Sequence, residues 1–300
     1  MSDVIAPVLV TGATGNVGRA VASSLRALGV PCVAAVRDPR AAAGGGTPAV
    51  AFDFHDPATY AGALRGARGL FLLRPPAIAD VRATLNALVD RAIEAGVEHV
   101  AFLSVEGADR QRWVPHHAVE RHLGARGVSS TILRPGFFAQ NLGDAYRADI
   151  RDDDRVFVPA GRGRVAFVDV RDVGEVAARS FAEPQLRRAA YTLTGPRAVT
   201  FDEVARALSA RLGRAIRYEP ASALGYARHL RRRGAPWAQA AVQTALHVGL
   251  RFGNAARVDP ALGHLLRRPA RDLEAFIADH VELWARPPSA PAGGAASPAR

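Results

Sequence analysis

The residues whose types and spacing suggest chemistry come first in the chain. An apolar run, Val8 to Val10, leads into Thr11-Gly12-Ala13-Thr14-Gly15-Asn16-Val17-Gly18, and helical spacing of apolar residues begins at once. This order suits the pyrophosphate of a dinucleotide. Gly12 permits a tight turn, Gly15 lets the backbone approach the phosphates, and Gly18 lets the helix pack closely. The helix N-terminus then offers free N–H groups and a favourable dipole to negative charge. Gly12, Thr14, Gly15, Asn16, Val17 and Gly18 are the cofactor-binding set expected here. Spacing alone also fits an ordinary turn; the strand before it and the helix after it favour binding.

A second apolar run, Cys32 to Val36, decides between dinucleotides. An acid at its end would bind a ribose 2′-hydroxyl, and a cation would accept a 2′-phosphate. Arg37 follows Val36 directly and Asp38 comes one step later. NADP(H) is therefore expected ahead of NAD(H), with Asp38 as the contrary feature and a solvated turn as the other use of Arg37. Asp53 and Phe54, beyond a third run, are placed to meet the adenine, unless Asp53 caps the helix that starts near Pro57.

These residues need a scaffold, and the rhythm of the chain supplies one. Short apolar runs at 8–10, 32–36, 49–52, 70–73, 100–103 and 130–133 alternate with amphipathic stretches at 17–28, 57–64, 78–95 and 116–125. Repeated βα units of this kind predict a Rossmann-type α/β fold with a doubly wound parallel sheet. Gly29, Gly66, Gly96 and Gly127 stand where helices should stop. After Phe138 the pattern changes to short strands at 165–168 and 191–193 and helices from Phe201, Ala221, Pro236 and Arg271 onward. The expected division is a dinucleotide-binding domain over 1–155 with a returning segment near 165–182. A smaller, mainly helical C-terminal substrate-binding cap follows over 183–286. Residues 287–300, rich in Pro, Ala, Gly and Ser, read as a disordered tail.

Composition narrows the function classes. The 300 residues carry a formal net charge of +11, yet 28 acids are interspersed among the 39 basic residues, so a nucleic-acid partner is not expected. Every basic residue is Arg, which removes any mechanism that needs a lysine amine. The one cysteine, Cys32, lies in an apolar run and reads as a buried structural thiol. No apolar run approaches about 18 residues and no signal core follows the N-terminus, so neither a membrane span nor export is expected, and the cytoplasm is the expected location. No His-Glu-x-x-His or similar ligand spacing suggests a metal.

The ordered motifs resemble the NmrA-like branch of the atypical short-chain dehydrogenases. They are Thr11 to Gly18, Val36-Arg37-Asp38-Pro39, Phe71-Leu72-Leu73, Leu133-Arg134-Pro135-Gly136-Phe137-Phe138 with Asn141, Val168-Asp169-Val170-Arg171-Asp172-Val173, and Tyr191-Thr192-Leu193-Thr194-Gly195-Pro196. The resemblance implies that Leu73 to Pro76 and Arg134 to Phe138, with Leu73 and Pro135 as contacts, flank the nicotinamide. It also implies a comparison with typical short-chain dehydrogenases, which use a Ser after the fifth strand and a Tyr followed four places later by Lys. Ser104 fills the first place, and the Tyr and Lys are missing. His117 and Arg121 have the same four-residue spacing on that helix, so His117 is a candidate proton donor and Arg121 a candidate anchor for ribose or phosphate. A solvated helix start after Pro115 is the other reading of the histidines.

Without a committed acid, the chemistry that suits the chain is hydride addition from NAD(P)H to a small apolar electrophile such as a quinone, enone, carbonyl or cationic dye. Phe137, Phe138, Trp113 and Tyr146 are the expected apolar wall, unless they belong to the core. A different class of function is a regulator that senses the dinucleotide without turning it over and signals to a protein partner. The cap helices over 221–253, which read as a lid for a ligand, favour the enzyme. A monomer or homodimer is expected.

Overall fold

The computed structural model describes residues 6–42 and 46–286. The proposed tail at 287–300 lies outside the described residues. In chain order the first elements are β1 (Val8–Thr11), α1 (Asn16–Ala27), β2 (Cys32–Val36), β3 (Ala49–Ala51), α2 (Ala58–Leu64), β4 (Gly69–Leu73), α3 (Ala87–Glu94), β5 (His99–Leu103), α4 (Pro115–Arg126) and β6 (Ser129–Pro135). Next come α5 (Arg147–Asp152), β7 (Arg155–Val158), β8 (Arg164–Val165), α6 (Val170–Ala182), β9 (Ala189–Leu193), β10 (Val199–Thr200) and α7 (Phe201–Leu212). The last are β11 (Arg217–Pro220), α8 (Ala223–Arg232), α9 (Trp237–Gly249), α10 (Ala261–Leu266) and α11 (Leu273–Asp279).

Seven parallel strands form one sheet in the order β3-β2-β1-β4-β5-β6-β9. Its central strands β1, β4 and β5 are largely apolar because both faces are covered, as parallel sheets require. Alternation divides each strand between two cores. Leu9, Leu70, Leu72, Val100 and Phe102 face one core, which also holds Tyr60, Leu85, Val119 and Leu123 from the helical side. Val8, Val10, Phe71, Ala101 and Leu133 face the other, with Val21 and Leu25 of α1, Val173 and Val176 of α6, and Leu262 and Leu266 of α10. Helices α1 and α6 approach so closely that a Cβ on Gly174 would lie 2.8 Å from the backbone of Ala20. The predicted helix stops Gly29, Gly66, Gly96 and Gly127 all have positive φ, which costs glycine nothing.

The sheet unit comprises 1–140, 166–198 and 257–272, and a second unit comprises 141–165, 199–256 and 273–300. The second unit is mainly helical and adds two short two-stranded sheets, β10-β8 and β11-β7. This division differs from the expected breaks at 155 and 183. The 191–193 run, extended as β9, belongs to the main sheet because Thr131 to Pro135 of β6 pair with Ala189 to Leu193. Of the expected strand at 165–168, only Val165 lies in a named strand, while Val168 makes a single bridge to Phe138. The helix expected over 78–95 starts late: Asp80 Oδ1 accepts from the N–H groups of Arg82 and Ala83 at 3.0 and 3.1 Å, a π turn follows over Arg82–Asn86, and α3 begins only then.

Candidate active site

The glycine loop leaves the carboxyl end of β1 between β4 and α1. Thr11, wholly buried, donates its hydroxyl to the Phe71 carbonyl and accepts from the Leu73 N–H, both at 3.0 Å, which locks β1 to β4. Gly12 then turns with φ +62°, and a Cβ there would lie 2.6 Å from Leu73. Gly18 packs against the same turn: its Cβ would come 2.1 Å from the Gly12 carbonyl oxygen. Gly15 is different, for its Cβ would meet only that oxygen, at an ordinary 3.4 Å. The space beside Gly15 is left clear, as a pyrophosphate needs. Helix α1 starts directly after Gly15 with no side-chain cap and no acid in its first turn, so its dipole faces outward uncompensated. Arg19 braces the loop through the Thr14 carbonyl at 2.5 Å and Asn16 Oδ1 at 2.7 Å. Val17 is half-buried at the start of the helix. These features fit a dinucleotide phosphate group.

At the end of β2, Arg37 is exposed. Asp38 is occupied elsewhere: its Oδ1 accepts from the N–H groups of Arg40 at 2.9 Å and Ala41 at 3.4 Å, closing a turn. Both side chains are exposed, and the Asp38 carboxylate is engaged through one oxygen in its own turn. Asp53 accepts from the His55 N–H at 2.9 Å and does not cap α2, whose N-cap position is Pro57. Phe54 is buried in the core, edge-on to Phe52 at 4.9 Å, so its ring is not presented to an adenine.

Helix α4 turns an inward face other than the expected one. His116, Val119, Glu120 and Leu123 point inwards, whereas Arg121 is exposed and His117 is half-buried. The His117 Nδ1 lies 2.8 Å from the Ala108 carbonyl, which can only accept, so Nδ1 carries the hydrogen. In the neutral ring Nε2 then holds a lone pair and has no proton to give. His116 sits below Phe102, and burial together with the nearby Arg74 guanidinium pushes its pKa down to about 4. It is neutral at physiological pH.

Ser104 is buried and its Oγ donates to Glu120 Oε1 at 2.5 Å. Arg134 holds the same carboxylate with two hydrogen bonds, Nε to Oε1 at 3.1 Å and Nη2 to Oε2 at 2.6 Å, and reaches Asp109 at 3.6 Å. A bidentate pair of this kind fixes orientation as well as charge. Ser104, Glu120 and Arg134 thus join β5, α4 and β6 at the carboxyl edge of the sheet. Ser104 is among the residues expected from the sequence and Glu120 is not, although it shares the inward face that Val119 and Leu123 define by helical period.

Pro135 is buried, and Phe137 and Phe138 beyond it are half-buried, Phe137 edge-on to Phe167 at 5.6 Å. The other two aromatic candidates are placed differently. Trp113 is 80% exposed. Tyr146 is 1% exposed in the second unit, where its hydroxyl donates to His247 Nε2; the His247 Nδ1–H is given to the Gln243 carbonyl. A ring with no exposed face cannot form a pocket wall. Glu106, absent from the sequence-based set, stands at the same sheet edge. Its N–H donates to the Pro135 carbonyl at 3.1 Å, and its Oε2 lies 3.4 Å from where a Gly136 Cβ would be.

No group of three or more His, Cys, Asp or Glu suited to a metal occurs among the described residues, and none of the described helices is long and apolar enough to cross a membrane.

Three similarities bear on this geometry. The NAD(P)H azoreductase of Xenophilus azovorans is 35% identical over 222 residues, covering 70% of this chain and 76% of that protein. The NADPH-dependent quinone oxidoreductase QOR2 of Escherichia coli, solved with NADPH, superposes with a TM-score of 0.81 at 27% identity over 92% of this chain and 99% of that one. The triphenylmethane reductase of Citrobacter sp., solved with NADP(H), gives 0.79 at 25% identity over 91% and 99%. The model of the NmrA-like family matches residues 6–237, from before β1 to the start of α9, and this chain belongs to that family.

Proposed function

We propose that this protein is an NADPH-dependent oxidoreductase that passes hydride to small apolar electrophiles. The observation that carries the reading is the loop at Gly15: a clear space beside it, a helix N-terminus above it without a side-chain cap, and an exposed arginine at the end of the adjacent strand. Similar proteins act on azo compounds, quinones and triphenylmethane dyes. These share one property, an electron-poor centre in a conjugated molecule. When bound, the nicotinamide supplies the hydride. The chain binds and orients the cofactor, with its phosphates on α1 and its 2′-phosphate on Arg37. The nicotinamide half would then fall on the β4, β5 and β6 side of the loop, and the adenosine half on the β2 and β3 side. The half-buried Leu73, Phe137 and Phe138 offer apolar surface there, with Pro135 buried behind them, and holding the reactants in register supplies most of the acceleration.

The test is oxidation of NADPH by the purified protein with quinones, enones, azo dyes and cationic dyes as acceptors. Turnover with any class supports the reading. Tight NADPH binding without turnover would mark a dinucleotide-sensing regulator. The 2′-phosphate assignment has its own test: Arg37→Ala should weaken NADPH by about tenfold and leave NADH unchanged, since only NADPH has the phosphate that the guanidinium pairs with. Calorimetric titration of both cofactors measures the two changes. Equal weakening of both would remove Arg37 from the phosphate site.

A further inference from the structure

We propose that Glu106 is the acid that protonates the substrate as hydride arrives, and so selects electrophiles that need a proton. The inference rests on the reductase reading above. Glu106 stands at the carboxyl edge of the sheet, just beyond β5 and beside the end of β6. Beyond β5 the chain continues beside β6, with Ser104 N–H on the Leu133 carbonyl at 2.7 Å and Glu106 N–H on the Pro135 carbonyl at 3.1 Å. Gly107 then turns away with φ +81°, leaving the Glu106 side chain at the carboxyl edge of the sheet over Gly136. Open α/β sheets bind ligands at this edge.

The other candidate proton sources here are committed. The Ser104 hydroxyl is given to Glu120, Glu120 is a carboxylate held by Arg134, His117 gives its Nδ1–H to Ala108, and His116 is buried and neutral. Among the described residues no hydrogen bond or ion pair occupies the Glu106 carboxyl. Burial raises its pKa. Arg257 and Arg110 oppose the shift and Asp259 reinforces it, and the net direction is upward. A half-buried acid that holds its proton longer than an ordinary glutamate, yet can recover it from solvent, is suited to general acid catalysis.

The step balances for an enone. Hydride forms a C–H bond at the β-carbon, the C=C π pair moves to the α-carbon and oxygen, and the oxygen takes the Glu106 proton. The enol then becomes the ketone, and bulk water reprotonates the carboxylate. A cationic dye needs no such proton, because hydride addition to its carbon gives a neutral product directly.

That contrast defines the experiment. With an enone and a cationic dye as acceptors, Glu106→Gln should lower the ratio of enone to dye kcat by about a hundredfold, the usual size of general acid help. Glu106→Asp should restore part of the ratio. Enone turnover by the parent should decline as pH rises through the carboxyl titration, because only the protonated acid donates. Independently of turnover, the 13C carboxyl resonance that vanishes in Glu106→Gln should titrate above about 4.3, the ordinary glutamate value. An unchanged ratio overturns the proposal. So does an equal loss on both substrates, a parent that reduces the dye and not the enone, or a resonance that titrates at the ordinary value. A parent that fails to oxidise NADPH with every electrophile offered overturns the reductase reading itself, and Glu106 falls with it.

Discussion

Gly15→Val is expected to abolish NADPH binding, with an increase in Kd of a hundredfold or more, in a chain that still folds. The backbone at Gly15 has φ −86° and ψ 171°, an extended conformation that valine adopts readily. Beyond its chain neighbours and its own helix, a Cβ at Gly15 meets nothing closer than the Gly12 carbonyl oxygen at 3.4 Å, so the β-carbon fits the apo loop. The space filled is the space that the pyrophosphate requires, and the branched methyls also cover the N–H groups of α1. Losing several charge-assisted hydrogen bonds, at about 1.5–3 kcal/mol each, is enough for a hundredfold or larger loss. Gly18→Val is the contrasting variant. Its Cβ would collide with the Gly12 carbonyl at 2.1 Å, so the loop itself should fail to form. Calorimetry with NADPH and thermal melts on both proteins separate the two effects. Parental NADPH affinity in a folded Gly15→Val protein would remove the loop from the cofactor site.

The second large effect concerns stability. Glu120→Ala should destabilise the sheet unit by about 3 kcal/mol, the lower part of the range for breaking a buried ion pair. The side chain of Glu120 is 9% exposed and that of Arg134 is 18% exposed, so little water reaches the abandoned guanidinium. The buried Ser104 hydroxyl loses its acceptor at the same time, which adds about 1 kcal/mol or more. A double variant, Glu120→Leu with Arg134→Met, should recover much of the loss, because the cost lies in the unpaired charge more than in the missing pair. Urea unfolding of the three proteins gives the comparison. A double variant less stable than Glu120→Ala would show that the pair contributes net stability.

The sheet was legible because its code is local. Apolar runs such as Val8 to Val10 and Leu70 to Leu73 are uninterrupted since both faces are covered, and a helix-period stretch follows nearly every one. The glycine loop was legible for the same reason: turn, approach and packing are each imposed on one residue by its immediate neighbours. What depends on distant partners was not. Strand β9 was recognisable as a strand, but its pairing with β6 follows a long excursion of the chain into the second unit, and nothing near Tyr191 announces the partner. Short α10 was missed because six residues carry too little periodicity.

The candidate site shows the same limit at the scale of one helix. The spacing of four that linked His117 to Arg121 is shared by His116 and Glu120, and the two pairs differ by one residue, a rotation of about 100°. Only packing on Phe102 and the pairing of Glu120 with Arg134 reveals which pair faces inward. Aromatic identity was no guide to location, for Trp113 is exposed and Tyr146 is sealed in the second unit. Glu106 has no motif at all. Its position depends on a hydrogen bond to Pro135 and a turn at Gly107, both consequences of the fold.

The central claim is hydride transfer from NADPH bound at the Gly15 loop, and isotope transfer tests it most directly. NADPH carrying deuterium on either face of the nicotinamide C4 is incubated with the protein and a cationic dye, and the reduced dye is analysed by mass spectrometry. The account predicts deuterium on the dye carbon from one face only, with transfer abolished in Gly15→Val. Reduced dye without deuterium from either face, or equal transfer by the Gly15→Val protein, would contradict it.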